Sequence, residues 1–263
     1  MIKIITQKPG MEYGVRRVNK VMTQSNYFFP LTLTLDPDEK ANFLNGQFKE
    51  LAPKFRLGTT DITHVGDQLK RHFPNSISNA NKLLNRIGLK VYKATMFMTS
   101  SDIVGTNIHC DGMINSASNL VVLEARLNNY EMSMGDSSIE WWDNLPNSLP
   151  IVEGVIDNSP HWWQNPVLNP LVDLENVSHA NVVCHPPYIN DLKTGKLSLD
   201  QVPRPDYSIM MTSPSGIVRT NLPHHVIQSN GVRVTLSVSI VFENGELAGV
   251  WEHIRNNIHL LEQ

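Results

Sequence analysis

The sequence predicts a mainly β fold with flanking helices, and three observations carry that expectation. Polar and apolar residues alternate with period 2 in several stretches. The cleanest lies in 232–240, where Arg233, Thr235, Ser237 and Ser239 oppose Val234, Leu236, Val238 and Ile240. Turn-forming pairs such as Asn230-Gly231 and Asn244-Gly245 punctuate these stretches. Helical spacing with start and stop signals is confined to a few short segments.

Taken in order, residues 1–35 are strand-rich, with Ile2, Ile4 and Ile5 at the start and a β-type run from Tyr27 to Leu35 broken by Pro30. Asp36-Pro37-Asp38-Glu39 is a helix start: a capping Asp, Pro in the first turn and acids at the positive end of the dipole. That helix should run through Phe43, Leu44, Phe48 and Leu51 and stop near Pro53. A second helix is expected from about Ser78 to Ile87, with Gly88 as its stop. Strands are expected at 89–98, at 120–128 and at 139–143.

Residues 144–205 are rich in Pro, Asn and Trp and have little periodicity, apart from short strands near 151–156 and 180–184. The aromatics Trp162, Trp163, Tyr188 and Tyr207, with His161, favour an ordered flap facing the substrate. His179 and His185 lack a carboxylate two positions on and are expected at the surface or behind the ligands. A strand, a Pro-Ser-Gly turn and another strand lead to His224. The tail 247–261 has Val250, Ile254, Ile258 and Leu261 at helical spacing, which leaves His253 and His259 toward solvent.

Two stretches carry the chemistry. In Thr106–Gly112, His109 and Asp111 are two apart, so on an extended chain both side chains share a face and Cys110 takes the other. In Thr220–Ile240, Asn230-Gly231 reads as the turn of a β-hairpin. Gln228 would then face Arg233, Val226 would face Thr235 and His224 would face Ser237. His224, Arg233 and Thr235 would line one surface while His225 points to the apolar side. Two histidines and one carboxylate on a facial triad, with open positions opposite, is the donor pattern of non-heme Fe(II) oxygenases.

The order His109-x-Asp111, then Pro223-His224-x-Val226, then Arg233-x-Thr235, resembles the iron- and 2-oxoglutarate-dependent dioxygenase superfamily over roughly residues 92–242. The resemblance implies a double-stranded β-helix (jelly-roll, cupin-like) core, with a plain cupin roll or a lectin-like sandwich as the competing folds. It divides the single domain into mixed strand and helix support at 1–90, a catalytic core at 91–243 with the insertion at about 144–205, and a C-terminal helix at 246–263. It implies Fe(II) held by His109, Asp111 and His224. Arg233 would bind the far carboxylate of the co-substrate 2-oxoglutarate, assisted by Thr235. Succinate and CO₂ would be released as a C–H bond is hydroxylated. Nucleobase-repair members carry a second Arg six residues after the first, and position 239 is Ser, so that branch is not matched.

The apolar share of 41% suffices for a packed core, and charged residues make up only 18% with a net charge of −3. There is no Lys/Arg run to serve as a nucleic-acid footprint and no apolar block long enough for a membrane span. Two cysteines and an N-terminus without a signal-like apolar block point to a cytoplasmic protein acting on a small molecule. Glu124 and Arg126, two apart on an expected strand, offer opposite charges that a small polar or zwitterionic substrate such as an amino acid would satisfy. The sequence leaves open a cupin-type metalloenzyme that does not use 2-oxoglutarate, a peptide or protein side-chain hydroxylase, and a non-catalytic binding module.

Overall fold

A computed structural model describes residues 5–7, 11–13, 26–46, 61–65, 67–100, 108–115, 120–143, 151–153, 177–185, 204–228 and 231–261. Fifteen strands are described. β1 (Ile5–Gln7) and β2 (Met11–Tyr13) form a two-stranded ribbon of their own. The others are β3 (Phe28–Leu31), β4 (Asp61–Val65), β5 (Leu89–Ser100), β6 (Ile108–Asn115), β7 (Leu120–Val122), β8 (Ala125–Asn129) and β9 (Ser137–Trp141). They continue with β10 (Ile151–Glu153), β11 (Val177–His185), β12 (Tyr207–Met210), β13 (Ser215–Arg219), β14 (His224–Gln228) and β15 (Val232–Phe242).

These build two antiparallel sheets. One has six strands in the order β3-β13-β8-β15-β5-β4, and the other seven, in the order β10-β11-β6-β14-β9-β12 with β7 beside β6. Strands close in sequence repeatedly fall in opposite sheets, as β5 and β6, β8 and β9, and β14 and β15 do. The chain therefore winds between two layers, and the fold is a jelly roll.

The helices are α1 (Pro37–Asn45), α2 (Asp67–His72), α3 (Pro74–Asn85) and α4 (Val250–Asn257), the last followed by a 3₁₀ turn at Ile258–Leu260. They cover the outer face of the six-stranded sheet. There the apolar set of β15, namely Val234, Leu236, Val238 and Ile240, shares one core with Leu69, Phe73, Leu84, Trp251 and Ile254. Burial of each such large apolar side chain contributes about 1.5–3 kcal/mol. The apolar half of β15 is thus committed to the helices, and its polar half is turned inward between the sheets.

Asp36 caps α1 as expected, its Oδ1 accepting from the Asp38 and Glu39 amides at 3.1 Å. The helix ends by Asn45, and the expected continuation to Leu51 lies outside the described residues. The second helix begins at Pro74, earlier than the expected Ser78. The N-terminal segment does more than support the core, because β3 and β4 form the two edges of the six-stranded sheet. Within the insertion, the expected short strands are β10 and β11, which extend the other sheet beyond β6. The aromatics at 161–163 and 188 lie outside the described residues. Tyr207 is a sheet residue in β12, stacked on Tyr27 at 4.9 Å. His253 does not face solvent: its Nε2 lies 2.6 Å from the Ile87 carbonyl.

Two expectations about strand pairing are corrected. β14 and β15 do not form a hairpin. β14 pairs with β9 and β6, and β15 pairs with β5 and β8, so the expected register of Gln228 with Arg233 is absent. The position that a hairpin would give β14 is taken by Met134, whose amide and carbonyl bond Val232 at 2.7 and 2.9 Å. Gly231 makes this close approach possible. It has φ 71°, and a Cβ there would stand 2.1 Å from the Met134 carbonyl oxygen.

The second correction concerns 120–128, which is two strands rather than one. A bend at Leu123-Glu124 carries the chain from the seven-stranded sheet to the six-stranded one. The bend also ends the alternation that would have put Glu124 and Arg126 on a common face.

Candidate metal centre

His109 and Asp111 both lie on β6 and are buried, and His224 begins β14 directly opposite His109 in the ladder. The i, i+2 spacing turns the two β6 side chains to the inner face, and the ladder sets the third beside them. The imidazole centroids of His109 and His224 are 4.5 Å apart. Asp111 Oδ1 lies 3.3 Å from His109 Nε2 and 3.6 Å from His224 Nε2. One donor atom from each of the three residues falls within 4.8 Å of the others, an arrangement able to hold a metal ion.

His224 has one ring nitrogen fixed and the other turned to the cluster. Its Nδ1 is 3.0 Å from the Leu222 carbonyl, to which it donates, leaving the Nε2 lone pair facing the cluster. Burial, reinforced by the neighbouring His109, pushes its pKa down to about 4, so the ring is neutral near pH 7. His225 points to the opposite face, with Nδ1 3.7 Å from Glu140 Oε2 and its ring 6.3 Å from that of Trp142. The expected separation of the two histidines therefore holds although the hairpin does not, because alternation is a property of β14 itself.

Across the gap stands the polar half of the six-stranded sheet. Arg126, 1% exposed, places Nε 2.7 Å from Asp111 Oδ2 and Nη1 3.3 Å from Ser237 Oγ, with its guanidinium 5.4 Å from the Phe97 ring centroid. Arg233 and Thr235 are buried on the same inner face of β15. Among the described residues, Arg233 Nε and Thr235 Oγ1 have no hydrogen-bond partner, and the buried Tyr130 hydroxyl has only the neighbouring Asn128 side chain. Burial lowers the pKa of Arg126 and of Arg233, opposed in each case by the charge of Asp111. A guanidinium starts so high that it stays protonated. Burial also raises the Tyr130 phenol to about 12, so it remains an O–H donor.

The structure thus brings Arg126 onto the His109–Asp111–His224 cluster, and sets Arg233 and Thr235 buried on the same inner face of β15 as Ser237, which Arg126 contacts. It does not bring Glu124 there. The Glu124 carboxylate accepts from the Gly249 amide at 3.0 Å and the Trp251 amide at 2.9 Å, capping the positive end of α4. Glu124→Ala is expected to cost about 1–2 kcal/mol in a urea titration, the scale of a lost helix cap, with metal uptake unchanged. A fall in metal uptake would return Glu124 to the centre.

Tyr130, and Asn128 beside its hydroxyl, were not singled out as site residues in the sequence. Stepping in twos from Arg126 along β8 reaches Asn128 and then Tyr130 just past the strand's end, which is the signal that would have found them.

No protein-family model matches the chain, and no curated protein matches its sequence. Among solved structures, it is similar to HygX from Streptomyces hygroscopicus with nickel and 2-oxoglutarate bound. The TM-score is 0.41 and the identity 10%, over 82% of this chain and 83% of that one. It is also similar to L-ribose isomerase from Cellulomonas parahominis with L-psicose, at TM-score 0.25 and 10% identity over 80% and 85% of the two chains. Resemblance at that level leaves the functional reading to the geometry of the site. Among the described residues no helix is long and apolar enough to cross a membrane.

Proposed function

We propose that the protein is a non-heme Fe(II)- and 2-oxoglutarate-dependent dioxygenase that hydroxylates a small polar molecule. The observation that carries this reading is the pairing of two buried sets of side chains on the inner faces of the two sheets. A His109–Asp111–His224 cluster fit for a divalent ion lies on one sheet, and on the inner face of the other are buried Arg233 and Thr235, whose Nε and Oγ1 have no hydrogen-bond partner among the described residues. Unpaired polar atoms at such depth are costly, and a ligand carboxylate would satisfy them together.

The donor set fits the metal. Two imidazoles and one carboxylate suit Fe(II), and three protein donors would leave the ion able to take a co-substrate and oxygen. His109, Asp111 and His224 would hold the ion, with the neutral His224 offering Nε2 without first losing a proton. Bound Fe(II) would supply activation of O₂, in a reaction converting 2-oxoglutarate, O₂ and R–H to succinate, CO₂ and R–OH.

The chain's own part is to bind, orient and exclude water. Arg233 would grip the far carboxylate through its planar fork, and the Thr235 and Tyr130 hydroxyls would donate to the same group. The charges are in keeping with a dianion. Arg126 and Arg233 against Asp111 leave one net positive charge in the buried space even before a divalent cation enters.

The test is anaerobic loading with Fe(II), followed by oxygen admission with and without 2-oxoglutarate while succinate and CO₂ are measured. Equal amounts of both products, dependent on iron and 2-oxoglutarate, are expected, and their yield should rise with an accepted substrate such as an amino acid. Iron uptake without any succinate would leave a metal-binding jelly roll of another chemistry.

A further inference from the structure

The Arg126–Asp111 ion pair joins the two sheets at the one carboxylate of the cluster, and the two oxygens of that carboxylate have different surroundings. Oδ1 faces both imidazoles, at 3.3 Å from His109 Nε2 and 3.6 Å from His224 Nε2. Oδ2 is 2.7 Å from Arg126 Nε. The guanidinium is held independently of Asp111, by Ser237 Oγ at 3.3 Å from Nη1 and by the Phe97 ring at 5.4 Å. All of this lies deep in the protein, Arg126 being 1% exposed and Asp111 5%.

We infer that Arg126 is a positioning residue that restricts Asp111 to a single metal-facing oxygen, keeping one more coordination position open than a freely turning aspartate would. The inference rests on the reading of the cluster as a metal centre. A carboxylate can bind a cation with one oxygen or with both, and burial of the second oxygen without a partner favours its turning to the ion. A charge-assisted contact to a fixed guanidinium removes that option. The consequence concerns stoichiometry at the metal. With three protein donors a six-coordinate ion would keep three positions, enough for a two-point oxo-acid ligand and one further small molecule. A second Asp111 oxygen would take one of them. Arg126 also offsets the carboxylate's charge, so its removal should not weaken cation binding on electrostatic grounds.

The readout is coordination itself, with Ni(II) as the redox-silent probe. In crystals of the Ni(II)-loaded wild type, Asp111 Oδ2 is expected to stay on Arg126 Nε, with only Oδ1 turned to the metal. Oδ2 shared with nickel in the wild type would overturn the inference without recourse to any variant. In Ni(II)-loaded Arg126→Met, Oδ2 should swing onto the metal. Calorimetric titration should then show Ni(II) affinity within about threefold of wild type, the second Asp111 oxygen offsetting the 10–100-fold that an outer-sphere substitution typically costs, and 2-oxoglutarate affinity at least about tenfold lower, about 1.4 kcal/mol. A variant whose Asp111 keeps one-oxygen binding would make Arg126 a mere counter-ion and sink the idea whatever its 2-oxoglutarate titration, because loss of the positive charge alone weakens binding of a dianion. A wild type that takes up no Ni(II) fails the metal reading beneath it, a result distinct from either of these.

Discussion

Asp111→Ala should do two things at once: abolish metal retention and destabilise the metal-free fold. Deleting a direct ligand is expected to weaken Fe(II) or Ni(II) binding beyond the 10–100-fold that outer-sphere changes cost. The second effect comes from Arg126, whose Nε sits 2.7 Å from the carboxylate that would be lost. Removing one partner of a buried ion pair strands the other charge, at a cost of about 3–5 kcal/mol. For a chain of this size that corresponds to a drop in melting temperature on the order of 10 °C.

His224→Ala should separate the two effects. It removes a ligand and leaves no charge unpaired, because the ring is neutral when buried, with its pKa near 4. Metal binding should vanish while the loss of stability stays closer to that of an ordinary core truncation. His225→Ala serves as the control, since that ring lies on the other face beside Glu140 and Trp142. Metal titration and thermal denaturation of the metal-free proteins decide the matter. Full stability in Asp111→Ala would mean that Arg126 finds another partner and that the ion pair is dispensable. Loss of metal in His225→Ala would overturn the assignment of faces on β14.

What could be read from the sequence follows a physical divide between properties of one strand and properties of a pair. Which side of β15 holds Arg233 and Thr235 is set by alternation alone, and so is the opposition of His224 to His225. Those assignments survive although the strand pairing behind them does not. The partner of a strand is a different matter. Asn230-Gly231 followed by an alternating run is the same local signal whether the chain folds back on itself or crosses to the facing sheet. The choice is made by Met134, nearly a hundred residues upstream, which bonds both backbone groups of Val232. Glu124 illustrates the same limit. Its charge is used at the amino end of α4, over a hundred residues further on, and no local pattern announces that contact. Capping at Asp36 was legible because donor and acceptor lie within three residues. The cluster was legible for a related reason: two of its three members sit on one strand.

The opposed placement of Arg233 and the cluster, on different sheets, bears directly on the proposed binding of 2-oxoglutarate. A hairpin would have set Arg233 and His224 on one ribbon, with a ligand lying along it. In the jelly roll the ligand would span the gap instead, anchored at the cluster on one wall and at Arg233, Thr235 and Tyr130 on the other. Arg233→Ala is therefore expected to weaken 2-oxoglutarate while leaving metal affinity unchanged. Removing one side of a buried charge pair costs about 2–5 kcal/mol in binding. Since each 1.4 kcal/mol is a factor of ten, the dissociation constant should rise about 30-fold or more. Thr235→Val and Tyr130→Phe each remove one neutral donor and should cost less, on the order of 1 kcal/mol apiece. Arg233→Lys keeps the charge and loses the planar fork, so it should fall between wild type and Arg233→Ala. The measurement is calorimetric titration of 2-oxoglutarate into each Ni(II)-loaded variant, with a parallel metal titration. A ranked loss in 2-oxoglutarate affinity at constant metal affinity would support the co-substrate reading. An unchanged titration in Arg233→Ala would release this wall to the primary substrate, and the protein would be a metalloenzyme of the same fold that works without a 2-oxo acid.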